Sequence, residues 1–191
     1  MMKWDQISSW CHHFIRQQVK DGDICIDATA GNGRDTEVLC ELVGESGKVY
    51  AFDIQEVALE NTRSRLEKAG LLGPVRLVLA GHEQMLQRVD KSECGEVSCV
   101  VFNFGYLPGG DYRIATKPAT SILAIEMALN LVRKGGLVSL CIYSGGDTGF
   151  EEREEILAWL KALDSKRYIV IVNEFYNRDN HPPLPVLIVK R

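Results

Sequence analysis

The 191-residue chain is 46% hydrophobic and 25% charged, an ordinary globular balance that excludes disordered and fibrous architectures. Its 22 basic and 26 acidic residues give a formal charge of −4, which excludes an all-round cationic coat for nucleic acid and leaves a local basic patch open. No apolar run approaches the ~18 residues of a membrane span, and MMKWDQISSW lacks the long apolar stretch of a secretory leader. The expectation is one domain over residues 1–191, cytoplasmic and away from membranes.

In chain order, Trp4, Ile7, Cys11, Phe14, Ile15 and Val19 recur at helical spacing, which predicts an N-terminal helix within residues 1–20 that packs on the rest. Asp21-Gly22-Asp23 stops it, and residues 24–29 read as a buried strand. Further strands are predicted over 48–54, 75–80, 97–103, 137–143, 168–175 and 186–190. Helical patterns fill 35–42, 56–69, 83–89, 118–133 and 151–163. Strands separated by helices of this length predict βαβ units and a largely parallel, doubly wound α/β sheet of about seven strands. Only residues 177–185 join the last two strands, too few for a crossover helix, so a terminal antiparallel hairpin is expected. Cys25, Cys99 and Cys141 fall in predicted strands, and Cys11 and Cys40 in predicted helices. With no CxxC pair, the six cysteines read as reduced thiols, mostly buried, and no metal site is expected.

The strongest local signal is Asp27-Ala28-Thr29-Ala30-Gly31-Asn32-Gly33, placed between a strand and a helix. Gly31 and Gly33 would let the backbone approach a ligand, and the helix that follows presents unpaired N–H groups. The second strand ends at Asp53, followed by Ile54 and Gln55; a carboxylate there can accept hydrogen bonds from both hydroxyls of a ribose. A dinucleotide fingerprint would need a glycine where Thr36 stands, and Asp35 would repel a pyrophosphate at the helix start. S-adenosylmethionine suits the pattern better: Asp27 or Asp35 could pair its ammonium and the loop N–H groups its carboxylate. Asp-x-Thr-x-Gly-x-Gly resembles the first motif of class I methyltransferases, with Thr29 in place of the usual first glycine. After the third strand, Gly81-His82-Glu83 stands where such enzymes hold the adenine and its ribose. The fourth strand ends in Asn103-Phe104-Gly105-Tyr106, which resembles in part the Asn-Pro-Pro-Tyr corner of amino-group methyltransferases.

Together DATAGNGRDT, VYAFDIQ, GHE, NFGYLPGGD and NHPP resemble the rRNA methylase family over about residues 7–190. That family lies within the class I, Rossmann-like, S-adenosylmethionine-dependent methyltransferases and includes enzymes for 5-aminomethyl-2-thiouridine at the tRNA wobble position. The resemblance implies that Asn32, Asp35, Asp53, Gln55 and His82 hold the cofactor, and that Asn103, Tyr106 and Asp111 border the target amine. The chain departs from the family pattern at Tyr143-Ser144-Gly145-Gly146-Asp147, where histidines are frequent, and at Tyr112, where a basic residue is common. The expected partner is tRNA at its anticodon loop, with rRNA or a small amine as the competing substrates. A homodimer is compatible with the sequence, and so is a non-catalytic cofactor-binding module. Arg113, Lys117, Arg178 and His181 are the candidate phosphate contacts, and Tyr106, Tyr112 or Tyr176 could stack a splayed base.

Overall fold

The computed structural model describes residues 6–107, 109, 115–144 and 149–191. Among them are seven strands: β1 (Ile24–Asp27), β2 (Lys48–Asp53), β3 (Val75–Leu79), β4 (Val97–Phe104), β5 (Val132–Ile142), β6 (Tyr168–Val172) and β7 (Leu184–Lys190). Six helices accompany them: α1 (Ile7–Gln18), α2 (Arg34–Val43), α3 (Glu56–Ala69), α4 (Met85–Arg88), α5 (Pro118–Leu131) and α6 (Gly149–Lys161). One sheet runs in the order β3-β2-β1-β4-β5-β7-β6, with β1 to β5 parallel and β7 antiparallel to both of its neighbours.

The period-2 alternation of each strand sorts its side chains to two faces. Cys25, Val49, Cys99, Val101, Leu137 and Leu187 pack with Ile15 of α1 and Val19 just past its end, Leu39, Cys40 and Val43 of α2, and Leu66 of α3. Their neighbours Ile26, Tyr50, Phe52, Val100, Phe102, Val138 and Leu140 pack with Met85, Ile125, Ala128, Ile156 and Leu160 of α4, α5 and α6. Each fully buried large apolar side chain contributes about 1.5–3 kcal/mol. The sheet is therefore covered on both sides, with α1 on the same face as α2 and α3. Five of the six cysteines are buried and none is bridged, as their placement in the pattern implied.

The order reverses between β1 and β4. The chain leaves β1 toward the α2 face and leaves β4 toward the α5 face, so the two connections part and open a crevice at the carboxyl ends of the strands.

Most element ends shift by one to three residues from the sequence reading, β6 for instance stopping at Val172 rather than 175, and two regions differ more. The fifth helix ends at Leu131 rather than at 133, and β5 begins at Val132. The β4–β5 register pairs Val97 with Val132 and then Cys99 with Leu137, so residues 133–136 bulge out. Arg133 uses that bulge to reach Asp23 at 2.9 Å and Ser98 at 3.0 Å, while Gly135 supplies the φ of 73°. The helix expected over 83–89 is a 3-10 turn at His82–Gln84 running into the short α4. The terminal hairpin forms as expected, but β7 takes the inner place between β5 and β6. Leu184 to Ile188 are buried without a break, whereas Ile169, Ile171 and Val172 of β6 are exposed, so β6 forms the edge.

Candidate functional site

The crevice at the switch point is a cleft of about 350 Å³. Thr29 and Gly31 from the loop after β1, Asp53, Ile54 and Gln55 from the end of β2, and His82 and Glu83 after β3 line one side. Asn103 and Tyr106 at the end of β4, with Thr116, Lys117 and Thr120 leading into α5, line the other.

Asp53 is set by backbone N–H groups. Its Oδ2 accepts from Gly31 at 2.9 Å and its Oδ1 from Gln55 at 2.9 Å. A carboxylate has about four lone-pair positions, so two remain for a ligand. Beside it Ile54 is 60% exposed, a bare apolar plate at the mouth of the cleft. His82 is buried and packs edge-on to Phe102 and Phe104 with ring centroids 6.0 Å away in each case. Burial holds its pKa below the usual histidine range, with Glu83 opposing the shift, so the ring meets the cleft as a neutral imidazole.

The loop after β1 is held from within. Asp27 is fully buried, accepting from Thr36 Oγ1 at 2.6 Å and from the Thr29 N–H at 3.2 Å. Burial and the neighbouring Asp35 push its pKa up to about 7, against the pull of the Thr36 and Thr29 hydrogen bonds and with a further rise from Asp53. Ala30 N–H reaches the Phe52 carbonyl at 2.8 Å. Gly33 has φ 75°, and a Cβ there would meet Thr62 Cα at 2.8 Å, so its bare backbone serves the packing of α3. Asn32 accepts from Asn61 through its side chain and from Arg65 through its carbonyl, again toward α3.

Asn103 is held from elsewhere. Its backbone N–H donates to Thr29 Oγ1 at 2.7 Å, and its side-chain Nδ2 donates to Asp35 Oδ2 at 2.7 Å. The other oxygen of Asp35 is 2.6 Å from His12 Nε2 on α1. Burial opposes the charge of Asp35, but the hydrogen bond and charge of His12, the Asn103 amide and Arg34 outweigh it and keep the carboxyl below its ordinary range. Further along, Tyr106 bridges to Ala115, and Thr116 N–H donates to the Gly105 carbonyl at 2.9 Å. Buried Glu152 of α6 anchors that return by accepting from Thr116 at 2.8 Å and Ser121 at 2.6 Å. Burial raises the Glu152 pKa despite both bonds.

Of the residues singled out in the sequence, Thr29, Gly31, Asp53, Gln55, His82, Glu83, Asn103 and Tyr106 meet at the cleft. Asp27, Asn32, Gly33, Asp35 and Thr36 do not line it; they brace the loop, α3 or Asn103. Asp27 and Asp35, the carboxylates offered for a ligand ammonium, accept hydrogen bonds from Thr36 and Thr29 and from Asn103 respectively, with His12 also 2.6 Å from Asp35. Asp111, Tyr112 and Arg113 lie outside the described residues, as do Gly145, Gly146 and Asp147. Lys117 borders the cleft, while Arg178, His181 and Tyr176 line a second hollow of about 300 Å³. The sheet register brings the loop carrying these three, between β6 and β7, to the same edge. Sequence reasoning missed His12 and Glu152. Their only signals were a polar residue flanking the Cys11–Ile15–Val19 stripe and an acidic residue in a run that otherwise reads as a solvated helix start.

Residues 49–189 match the family described as "Putative rRNA methylase". The chain is 37% identical over 187 residues to the tRNA (mnm(5)s(2)U34)-methyltransferase, chloroplastic, of Arabidopsis thaliana, covering 93% of this chain and 66% of that protein. It spans between about half and two thirds of the length of the curated relatives it matches. Among solved structures it is similar to a "putative rRNA-methylase" from Clostridium thermocellum, with TM-score 0.92 and 45% identity over 96% of this chain and 97% of that one. It is also similar to SMU.1697c from Streptococcus mutans in complex with SAH, with TM-score 0.87 and 35% identity over 98% and 99% of the two chains. No helix among the described residues is long and apolar enough to cross a membrane.

Proposed function

This chain belongs to the rRNA methylase family, and on that premise we propose that it is an S-adenosylmethionine-dependent methyltransferase that N-methylates the aminomethyl group of a modified wobble uridine in tRNA. The observation that carries the reading is one cleft walled by Asp53 at the end of β2 and by Asn103 at the end of β4. The SAH-bound relative supports the cofactor, and the Arabidopsis relative supports tRNA over rRNA.

The donor set fits a nucleoside. Asp53 keeps two acceptor positions for the ribose hydroxyls, Ile54 offers an apolar plate for a purine, and neutral His82 lies at the same wall. When bound, S-adenosylmethionine supplies a methyl group on a sulfonium, an electrophile that leaves its bonding pair on sulfur. The protein's work is then to orient the amine. Asn103 has its Nδ2 committed to Asp35, so Oδ1 is the acceptor left to take an N–H from the target nitrogen. A primary alkylamine is mostly protonated near neutrality, since its lysine analogue titrates near ~10.4. An uncharged amide accepts from the neutral amine without stabilising the ammonium as a carboxylate would. As the N–C bond forms the bond between sulfur and methyl breaks, and the proton released by the new ammonium passes to solvent. Tyr106, 40% exposed at the rim, offers a ring for a base turned out of the anticodon loop. Lys117 at the start of α5 stands where a phosphate would approach.

Nucleoside mass spectrometry of tRNA and rRNA from cells with and without this protein tests the proposal. The expected result is loss of the methylated wobble nucleoside and accumulation of its aminomethyl precursor in tRNA. A change confined to rRNA would move the substrate there, and unchanged nucleosides in both would favour a small amine or a non-catalytic module.

A further inference from the structure

We infer that His12 and Asp35 form a positioning relay that locks the side-chain amide of Asn103 with its carbonyl facing the cleft. The inference rests on the proposed methyl transfer only for what that carbonyl does.

The two ends of an asparagine amide have nearly the same shape, so packing alone does not choose between them. Asp35 does choose. Its Oδ2 lies 2.7 Å from Asn103 Nδ2, and an ionised carboxylate only accepts. Turning the amide over would set Oδ1 against that oxygen and replace a charge-assisted hydrogen bond with repulsion. The carboxylate must itself stay ionised and in place. His12 Nε2 at 2.6 Å from Oδ1 holds it there, with both side chains about one-fifth exposed. The strand does not need the relay, because the Asn103 backbone is fixed separately through Thr29 Oγ1. Breaking the relay therefore releases the amide and leaves β4 where it is.

The test combines kinetics with a readout that needs no substrate. With tRNA from cells lacking this protein, Asp35→Asn and His12→Ala should each lower kcat by about 10- to 100-fold, the scale of lost orientation. The KM for tRNA and the Kd for the cofactor should move less than about threefold, and His12→Gln, which keeps a donor, should recover most of the rate. In an Asn103→Ala background, His12→Ala should cost less than about twofold, because the residue it acts through is gone. In 15N spectra the Asn103 side-chain NH2 pair should be distinct in the wild type and collapse toward a free amide in His12→Ala. Cofactor affinity falling in step with kcat, additive losses in the double variant, or an unmoved Asn103 resonance would each overturn the relay. If the wild-type protein methylates no tRNA, the substrate reading fails by itself and the amide resonance still decides the relay.

Discussion

The loop after β1 stitches itself together over ten residues, Asp27 reaching Thr29 and Thr36. The end of β4, one strand away, is held by residues 74 and 68 positions distant, Thr29 and Asp35, and through Asp35 by His12. Both walls face one cleft. The first wall presents backbone groups and one carboxylate, Asp53, which accepts from Gln55 in its own turn and from Gly31 in the loop after the neighbouring strand; that suits a constant ligand. The second presents a neutral amide whose orientation is set by Asp35 and, through it, by His12, which suits a group that must be aimed. On the proposed reading, the difference teaches that the binding wall is held by backbone donors of adjoining turns and the aiming wall by side chains of α1 and α2.

Substitutions on the two walls should separate affinity from turnover. The largest effect is expected on the β4 side: Asn103→Ala should lower turnover by roughly two to four orders of magnitude, with cofactor affinity changed much less. Single-turnover rates set beside calorimetry check this, and a fully active Asn103→Ala protein would erase the distinction between the walls. On the β2 side Asp53→Ala should weaken cofactor binding by at least ~tenfold, since charge-assisted hydrogen bonds to two hydroxyls are worth on the order of 1.5–3 kcal/mol each. Part of that loss will be loop loosening, because the Gly31 and Gln55 N–H groups lose their acceptor. Asp53→Asn, which keeps one acceptor oxygen, should therefore fall between the wild type and the alanine variant in the same titration.

A third expectation concerns the brace beneath the loop. Asp27 has a folded-state pKa of about 7, above its ordinary 3.8, because burial and Asp35 disfavour the charge. The folded chain thus binds this proton more tightly than the unfolded chain. The stability it contributes is full below pH 3.8 and is lost as pH rises to about 7. Asp27→Asn removes the titration, so its Tm relative to wild type should climb between pH 4 and 8, with each kcal/mol worth about 2–4 °C. A gap that stays constant across that range, measured by thermal unfolding, would show that Asp27 does not titrate there.

The smallest effects belong to the rim. Lys117→Glu and Arg178→Glu should each raise the KM for RNA by a few-fold and leave cofactor affinity alone, and the rate on RNA should fall as salt rises. If both reversals are silent, RNA approaches some other surface than this sheet edge. The wild-type rate should also rise with pH through the neutral range as the target amine deprotonates, provided chemistry limits turnover.

Much of this molecule is determined by local and periodic features that a sequence displays directly. Alternating apolar strands, helices of crossover length and a final connection too short for a helix specify a parallel sheet with a terminal hairpin. Asp-x-Thr-x-Gly-x-Gly after β1 and the carboxylate ending β2 point to one ligand edge, since both are short-range devices. Tertiary structure alone decided the rest. It turned Asp35 toward Asn103 and His12, set Gly33 against Thr62 of α3, bulged residues 133–136 so that Arg133 meets Asp23, and drew Glu152 under the loop into α5. Each of these joins residues that no helical or strand period relates. A polar side chain's role is set by which donor or acceptor the fold leaves within about 3 Å of it, and that is known only once the elements have packed.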